Sequence, residues 1–287
     1  MKFFAAAILA LTGFVSAMPA EKRAGNCTSP AVHMEWRSLS QAQRNSFHNA
    51  VKCLQTKPSN VNGVSSFNRY PSVHSDVFGS VHYVAQFLPW HRWFLHLRRL
   101  DLQDCGYTGP VPYWDWTIDS GKLATSNIWD PTTGFGGNGN TRTSAHCVEN
   151  GPYANFQSPL FGSPLQQRER PKRFLNNNNY NDFSNDVEEI PHDAIHNVIS
   201  GDMAAAFSPN DALNIDRIWA KWQGRGSRLQ EYTGNTVQGQ SQTNGSRFPL
   251  AKLSDMMPMK GIRGLPDIRV ADVMDTMSDS LCYVYDK

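Results

Sequence analysis

Apolar residues recur at helical spacing in several stretches of the chain. From Glu35 to Cys53 the spacing places apolar residues near one face, namely Trp36, Leu39, Phe47 and Val51, with Leu54 just beyond. This pattern predicts a helix, and Ser40 is expected to be the N-cap of its second half. A second helix is expected from about Pro89 to Asp104, because proline suits a first turn and Cys105-Gly106 ends a helix.

Polar and glycine-rich stretches separate the predicted helices. Thr117 to Tyr153 predicts a long surface loop, and the run Asn176 to Asn179 also indicates a loop. Pro191 is expected to open a short helix, and a further helix is expected from Ala212 to Trp222. Met274 to Tyr285 is a candidate closing element. The chain is therefore predicted to be mainly α, with long loops and few short strands.

The N-terminus has the pattern of a secretory signal. An apolar run from Phe3 to Val15 follows Lys2, and Val15 and Ala17 are small residues of the kind found at cleavage sites. The run is too short to span a bilayer, so residues 1–17 are expected to be a signal peptide rather than a buried helix. Residues 18–26 are expected to be a propeptide or a flexible N-terminus, and residues 27–287 one large domain.

The cysteines and sequons fit an oxidising, extracellular setting. All five cysteines follow the predicted signal: Cys27, Cys53, Cys105, Cys147 and Cys282. Secretion permits disulfides, but the odd number leaves at least one cysteine without a partner in the chain, and spacing does not give the pairing. Asn26-Cys27-Thr28 and Asn244-Gly245-Ser246 are glycosylation sequons.

Charge and composition exclude some partner classes. The net charge is +2 with no basic tract, which argues against nucleic acid or a membrane surface as a partner. A chain of 287 residues with 40% hydrophobic residues can bury a sizeable core.

Two groups of histidines are candidates for metal binding. His74, His82 and His91 fall in a short span and can meet at one metal if the intervening loop folds back. His192 and His196 are four residues apart, which places both rings on one helical face. Imidazole is a good ligand for copper and zinc. The other histidines are interpreted as ordinary core or surface residues: His33, His48, His96 and His146.

A zinc hydrolase is the alternative to the copper interpretation. The stretch from His192 to His196 is similar to the zinc-protease pattern HExxH, in which the glutamate is the general base. Here Asp193 stands at that position, one methylene shorter, and no third zinc ligand follows at the usual distances. The zinc interpretation is therefore disfavoured.

Several motifs resemble the tyrosinase and catechol oxidase family. Residues 87–95, FLPWHRWFL, resemble its copper A motif, and 112–116, PYWDW, resemble the aromatic segment that follows. Residues 190–203 are similar to the start of the copper B motif, while 208–211 and 214–219 are similar to the two ends of its second half. The motifs occur in the family's order from about Cys27 to the C-terminus.

The resemblance implies a four-helix bundle around a type-3 dinuclear copper site, which oxidises phenols or catechols to quinones with O2. It implies that His74, His82 and His91 hold copper A and that His192 and His196 begin copper B. Position 80 is serine, so the cysteine–histidine bridge of some members is not expected. Larger members carry a C-terminal lid domain, and none is expected here.

The third copper B ligand is missing from the sequence. In the family a proline, an apolar run and two adjacent histidines follow the SPND segment, but Asp211 is followed here directly by Ala212. By this comparison roughly six residues are absent, enough to rotate a helix by about 240° net. Either the sequence is a mis-spliced version of an active oxidase, or the protein is a degenerate, non-catalytic copper-binding or structural member.

Polar residues near the copper B histidines were also considered. Asn214 and Asp216 could supply oxygen donors in place of the missing histidine, although oxygen ligands suit Cu(I) poorly. Glu188, Asp193 and Asn197 flank the two histidines and are expected to be surface or capping residues. The resemblance covers both monophenol hydroxylation and diphenol oxidation.

Overall fold

The computed structural model describes residues 27–137, 150–154, 174–199, 212–239 and 248–287. Several expectations concern residues outside these ranges. They are the signal peptide and the segment 18–26, the sequons at Asn26 and Asn244, His146, Cys147 and the SPND segment 208–211.

Helices dominate the described part of the chain. They are α1 (Gln41–Thr56), α2 (Ser66–Val81), α3 (Phe87–Asp104), α4 (Tyr180–Val187), α5 (Asp193–Ile199) and α6 (Ala212–Gln223). The strands are short: β1 (Ala31–Glu35), β2 (Val111–Tyr113), β3 (Met256–Met257), β4 (Ile268–Arg269) and β5 (Tyr283–Tyr285). The predicted mainly-α class is confirmed.

Helix α1 begins at the predicted cap. The Ser40 side chain accepts a hydrogen bond from the Gln43 N–H, and the Gln43 side chain accepts one from the Ser40 N–H. This reciprocal capping box satisfies two backbone donors at the helix start. The predicted start at Glu35 is wrong, because that residue ends β1 and a short 3-10 helix, Trp36–Ser38, follows it.

Helix α2 is not among the predicted helices, and its C-terminal part occupies the stretch after His74 where an intervening loop was expected. The Ser65 side chain caps it by accepting from the Asn68 N–H, and the helix continues through Pro71 to Val81. A proline at this position interrupts the helical pattern, since it removes one backbone donor. His74 and His82 are consequently placed by a helix and its C-cap rather than by a folded loop.

Helices α3 and α6 match their predictions closely. Helix α3 begins two residues before Pro89 and ends at Asp104, with Cys105 as its C-cap and Gly106 at a φ of 83°. Gly106 tolerates this left-handed conformation because it has no Cβ. Helix α6 extends one residue beyond the predicted end at Trp222.

A small sheet and two disulfides join distant parts of the chain. Strand β1 lies between β2 and β5 and pairs in parallel with both. The Cys27–Cys282 disulfide links the two ends of the described domain, and Cys53–Cys105 links α1 to the end of α3. The candidate closing element therefore contains β5 and the disulfide beside it. Strands β3 and β4 form a separate antiparallel pair.

Aromatic side chains fill the main core between the helices. Trp90 stacks on Phe94 with ring centroids 4.5 Å apart, and Phe183 stacks on Trp222 at the same separation. These large buried rings supply much of the apolar area that stabilises the fold. No helix in the described ranges is both long enough and apolar enough to span a bilayer.

A buried ion pair connects α3 to α6. The Arg92 Nε donates to the Asp216 Oδ1 over 2.5 Å, and the Arg92 guanidinium lies 3.6 Å from the ring centre of Trp219. The hydroxyls of Tyr283 and Tyr285 both donate to the Asp216 Oδ2 at 2.5 Å. This one carboxylate thus joins two helices and β5.

Replacing Asp216 tests how much the fold depends on this pair. We expect Asp216→Ala to lower the free energy of unfolding by about 3–5 kcal/mol, because it leaves a buried guanidinium unpaired. Asp272→Ala, which breaks the exposed ion pair with Arg269, should leave the free energy almost unchanged. Urea denaturation of both variants measures the difference. Equal free energies of unfolding for the two variants would contradict the stabilising role given to the Arg92–Asp216 pair.

Candidate metal centre

Three buried histidines converge between α2 and α3. His74 lies on α2, His82 is its C-cap, and His91 lies on α3. Each is 2% exposed, and the nitrogen atoms that could bind a metal lie within 4.8 Å of one another. The three imidazoles form a group that could hold one metal ion.

Local helix geometry sets the positions of His82 and His91. The His82 N–H donates to the Phe78 carbonyl at 3.0 Å and closes the last turn of α2. Helix α3 begins at Phe87, and His91 follows one turn later on the same face. The Phe87 ring packs against both imidazoles, with centroids 5.7 Å from His82 and 4.8 Å from His91.

Hydrogen bonding fixes which nitrogen of His91 faces the group. Its Nδ1 lies 2.7 Å from the Phe87 carbonyl oxygen, which can only accept, so Nδ1 carries the proton. The Nε2 of His91 therefore presents its lone pair to the group, and it lies at hydrogen-bond distance, 3.1 Å, from the Nε2 of His74. The Nδ1 of His82 is buried and has no hydrogen-bond partner among the residues that the structure describes.

Burial keeps the rings of His82 and His91 neutral. Burial, with the neighbouring His74 and His192, lowers the pKa of His82 to about 2. Burial likewise lowers the pKa of His91 well below its ordinary value. Neutral imidazole is the form that binds a metal ion, so the donor set suits copper.

His192 and His196 form a second, two-membered group facing the first. Their Nε2 atoms lie 2.9 Å apart, and the ring centroids of His82 and His192 are separated by 5.7 Å. The predicted helix start at Pro191 is wrong, because a π-helical turn, Glu188–His192, continues α4 through this proline into α5. Such a turn tolerates a residue that lacks an N–H and often lies at a functional site.

The second group lacks a third donor among the residues described. Within these ranges His74, His82 and His91 are the one cluster of three or more potential ligands. The two considered substitutes are engaged elsewhere: Asp216 by Arg92 and two tyrosines, and Asn214 by Arg217. Neither oxygen donor is available to complete the second group.

Glu188, expected to be a surface or capping residue, is the C-cap of α4 and is buried. It is 1% exposed, and its Oε1 accepts from the Tyr83 N–H at 2.8 Å. Burial raises its pKa well above the ordinary value. Asp193 is partly exposed and accepts from the Nδ1 of His192 at 3.1 Å. The side chain of Asn197 lies outside the described part of the structure.

The other described histidines lie away from both groups. His33 stacks on Tyr283 at 4.2 Å, and His96 stacks on Trp93 at 4.9 Å. His48 shares a 2.7 Å hydrogen bond with the Tyr153 hydroxyl. Their interpretation as ordinary core residues accords with these contacts.

Comparisons with known proteins place this chain among copper proteins of one type. A family model described as the common central domain of tyrosinase matches residues 45–176 and 164–225. A tyrosinase-like protein, phomQ1 of Diaporthe leptostromiformis, is 35% identical over 91% of this chain and 78% of its own length. Tyrosinase ustQ of Aspergillus flavus is 33% identical over 90% of this chain and 80% of its own length.

A solved structure shares the fold. A polyphenol oxidase from Thermothelomyces thermophila has a TM-score of 0.73 and 26% identity, covering 90% of this chain and 89% of that chain. The alignment to phomQ1 extends over 308 positions, more than the 287 residues of this chain. The alignment therefore includes positions at which the relative has a residue and this chain has none.

The buried carboxyl of Glu188 predicts a pH-dependent stability. Its pKa is raised in the folded protein, so its protonated form favours folding, and stability falls as pH rises above the unfolded value of about 4.5. Glu188→Gln keeps an acceptor for the Tyr83 N–H and removes the ionisable group. We expect this variant to gain stability relative to the wild type by up to about 1.4 kcal/mol per pH unit above pH 4.5.

Urea denaturation of the metal-free proteins between pH 4.5 and 7 provides the measurement. Glu188→Ala serves as the comparison, because it leaves the Tyr83 N–H unpaired and should cost about 1–3 kcal/mol. A wild type that gains stability over Glu188→Gln as pH rises would contradict the burial of this carboxyl.

Proposed function

The chain belongs to the tyrosinase family, and on that premise we propose that it is a copper oxidoreductase that oxidises phenols or catechols with O2. The observation that carries the proposal is the group of three buried imidazoles formed by His74, His82 and His91. Copper is the metal that the family implies, and imidazole nitrogen suits it.

The first centre is proposed to use all three of these histidines as copper A ligands. When bound, copper supplies the redox centre and the oxygen-carrying chemistry of the family. The protein supplies orientation: the Phe87 carbonyl holds the Nδ1–H tautomer of His91 and leaves its Nε2 for the metal. The rings of Phe87 and Phe78 cover His82 and keep water from its surroundings.

The second centre is proposed to begin with His192 and His196 as copper B ligands. The short distance between their Nε2 atoms supports a shared metal position. The printed sequence supplies no histidine beyond His196. Two ligands hold and orient a copper ion less firmly than three, so occupancy of this centre is expected to be the weak point of the activity.

A specific observation favours a second candidate function. The described residues complete only one three-ligand group, and both considered oxygen donors are already engaged. A protein with copper A alone would bind copper without oxidising phenols, as a degenerate member of the same fold.

Copper content and catechol turnover distinguish the two candidates. Two ions per chain with oxygen-dependent catechol oxidation would support the oxidoreductase, whereas one ion without turnover would support the copper-A-only protein. His91→Gln is expected to lower the affinity of the tightest copper site by more than about 100-fold. This exceeds the loss of affinity that follows removal of a residue that only hydrogen-bonds to a ligand. His196→Gln should leave that site unchanged. Failure of the wild type to bind copper would contradict both candidates.

A lengthened variant provides the matched comparison. In this variant a segment of about six residues with two adjacent histidines is inserted after Asp211. The insertion would restore the rotation of about 240° that the missing residues contribute to the helix. Catechol turnover that appears only in this variant would attribute the missing activity to the absent residues. Equal copper content and turnover in both proteins would contradict the missing-ligand account.

Secretion is proposed from the N-terminal pattern and from disulfide chemistry. Two disulfides lie in the described domain, as expected for an oxidising compartment. Expression in a secreting fungal host should release the protein into the medium with its N-terminus at or beyond Met18. Retention of residues 1–17 on the exported protein would contradict the signal-peptide assignment.

A further inference from the structure

Tyr83 occupies a strained position directly after His82. Its φ is 54°, in the left-handed region that residues with a Cβ seldom adopt. Such a conformation costs free energy and persists only where surrounding contacts hold it. The side chain is also 40% exposed, so burial of the ring alone does not account for its position.

Backbone contacts hold the turn from both sides. The Tyr83 N–H donates to the Glu188 Oε1 at 2.8 Å, and the Gln238 Nε2 donates to the His82 carbonyl at 3.1 Å. The peptide between the two residues is therefore held by two side chains that are distant in sequence. One of them, Glu188, lies in the π-helical turn that ends at His192.

The Tyr83 side chain extends the connection to His192. Its hydroxyl donates to the Asp193 Oδ2 at 3.2 Å, and the other oxygen of Asp193 accepts from the His192 Nδ1 at 3.1 Å. Because a carboxylate only accepts, this contact selects the Nδ1–H tautomer of His192. The Nε2 of His192 is left to face the Nε2 of His196.

We propose that Tyr83 is a positioning residue that couples the two histidine groups. Its backbone is fixed next to His82, and its hydroxyl holds Asp193 so that Asp193 orients His192. The proposal concerns the orientation of His192 and stands on the metal-free geometry. It rests on the proposed function only in stating that a copper ion would bind to the His192 ring in this orientation.

The tautomer of His192 provides a direct readout in the metal-free protein. Side-chain 15N NMR distinguishes a protonated from an unprotonated ring nitrogen. In the wild type we expect the proton on Nδ1. In Tyr83→Phe the ring remains and the hydroxyl is lost, so Asp193 can turn towards water and the proton should become shared between Nδ1 and Nε2. Tyr232→Phe is the matched control, since that buried hydroxyl has no hydrogen-bond partner within the described part of the chain.

Asp193→Ala tests whether Tyr83 acts through the carboxylate. It should move the His192 signals in the same direction as Tyr83→Phe, and the double variant should move them no further than Asp193→Ala alone. His192 signals that stay unchanged in Tyr83→Phe, or changes that simply add in the double variant, would overturn the proposal. Asp193→Ala must also shift the ring resonances of Tyr83, so the coupling stays testable if Tyr83→Phe does not fold.

Copper affinity gives a second readout besides activity. Loss of an outer partner of a metal-binding histidine typically weakens metal binding by about 10- to 100-fold. If copper binds at His192 and His196, Tyr83→Phe should show a loss of this size there and none at the three-histidine group. A tautomer change without copper binding in the wild type would refute the proposed function and leave the role of Tyr83 intact.

Discussion

The buried ion pair between Arg92 and Asp216 is the interaction that holds α6 against the rest of the helical core. Arg92 follows His91 in sequence, and Asp216 lies on α6, so their contact fixes α6 against the helix that carries a candidate ligand. Two charges removed from water are tolerated only when both are well partnered. Tyr283 and Tyr285 supply the remaining bonds to Asp216, and the Cys27–Cys282 disulfide holds the strand that carries them.

Because this ion pair holds α6 in place, the fold does not depend on whether the second group has a third histidine. None of the groups that hold α6 against α3 belongs to the stretch in which the family carries its histidine pair. Helix α6 can therefore dock on α3 through Asp216 and Trp219. This docking does not need the histidine pair that the family carries and this sequence lacks. The three-histidine group depends on α2 and α3, and it is formed independently of α6. Among the described residues, α6 is therefore docked on α3 while the second group consists of two histidines.

The sequence predicts the parts of this structure that rest on local rules. Ser40 as a cap, the helix up to Asp104 and the helix from Ala212 follow from side-chain chemistry and spacing. Helix α2 was missed because Pro71 lies within it, and the π-helical turn at Pro191 was missed because tertiary packing sustains a local irregularity. The candidate ligands were identified by spacing and family motifs.

The contacts that orient those ligands could not be read from the chain. The link from Tyr83 to Asp193 joins residues 110 positions apart, and the burial of Glu188 arises from its contact with the same turn.

The central claim is that His74, His82 and His91 hold one copper ion. Copper-edge X-ray absorption of protein loaded with one copper ion per chain tests this claim most directly. The account predicts three imidazole nitrogens around the copper, from His74, His82 and His91. A copper bound by only two imidazoles would contradict it.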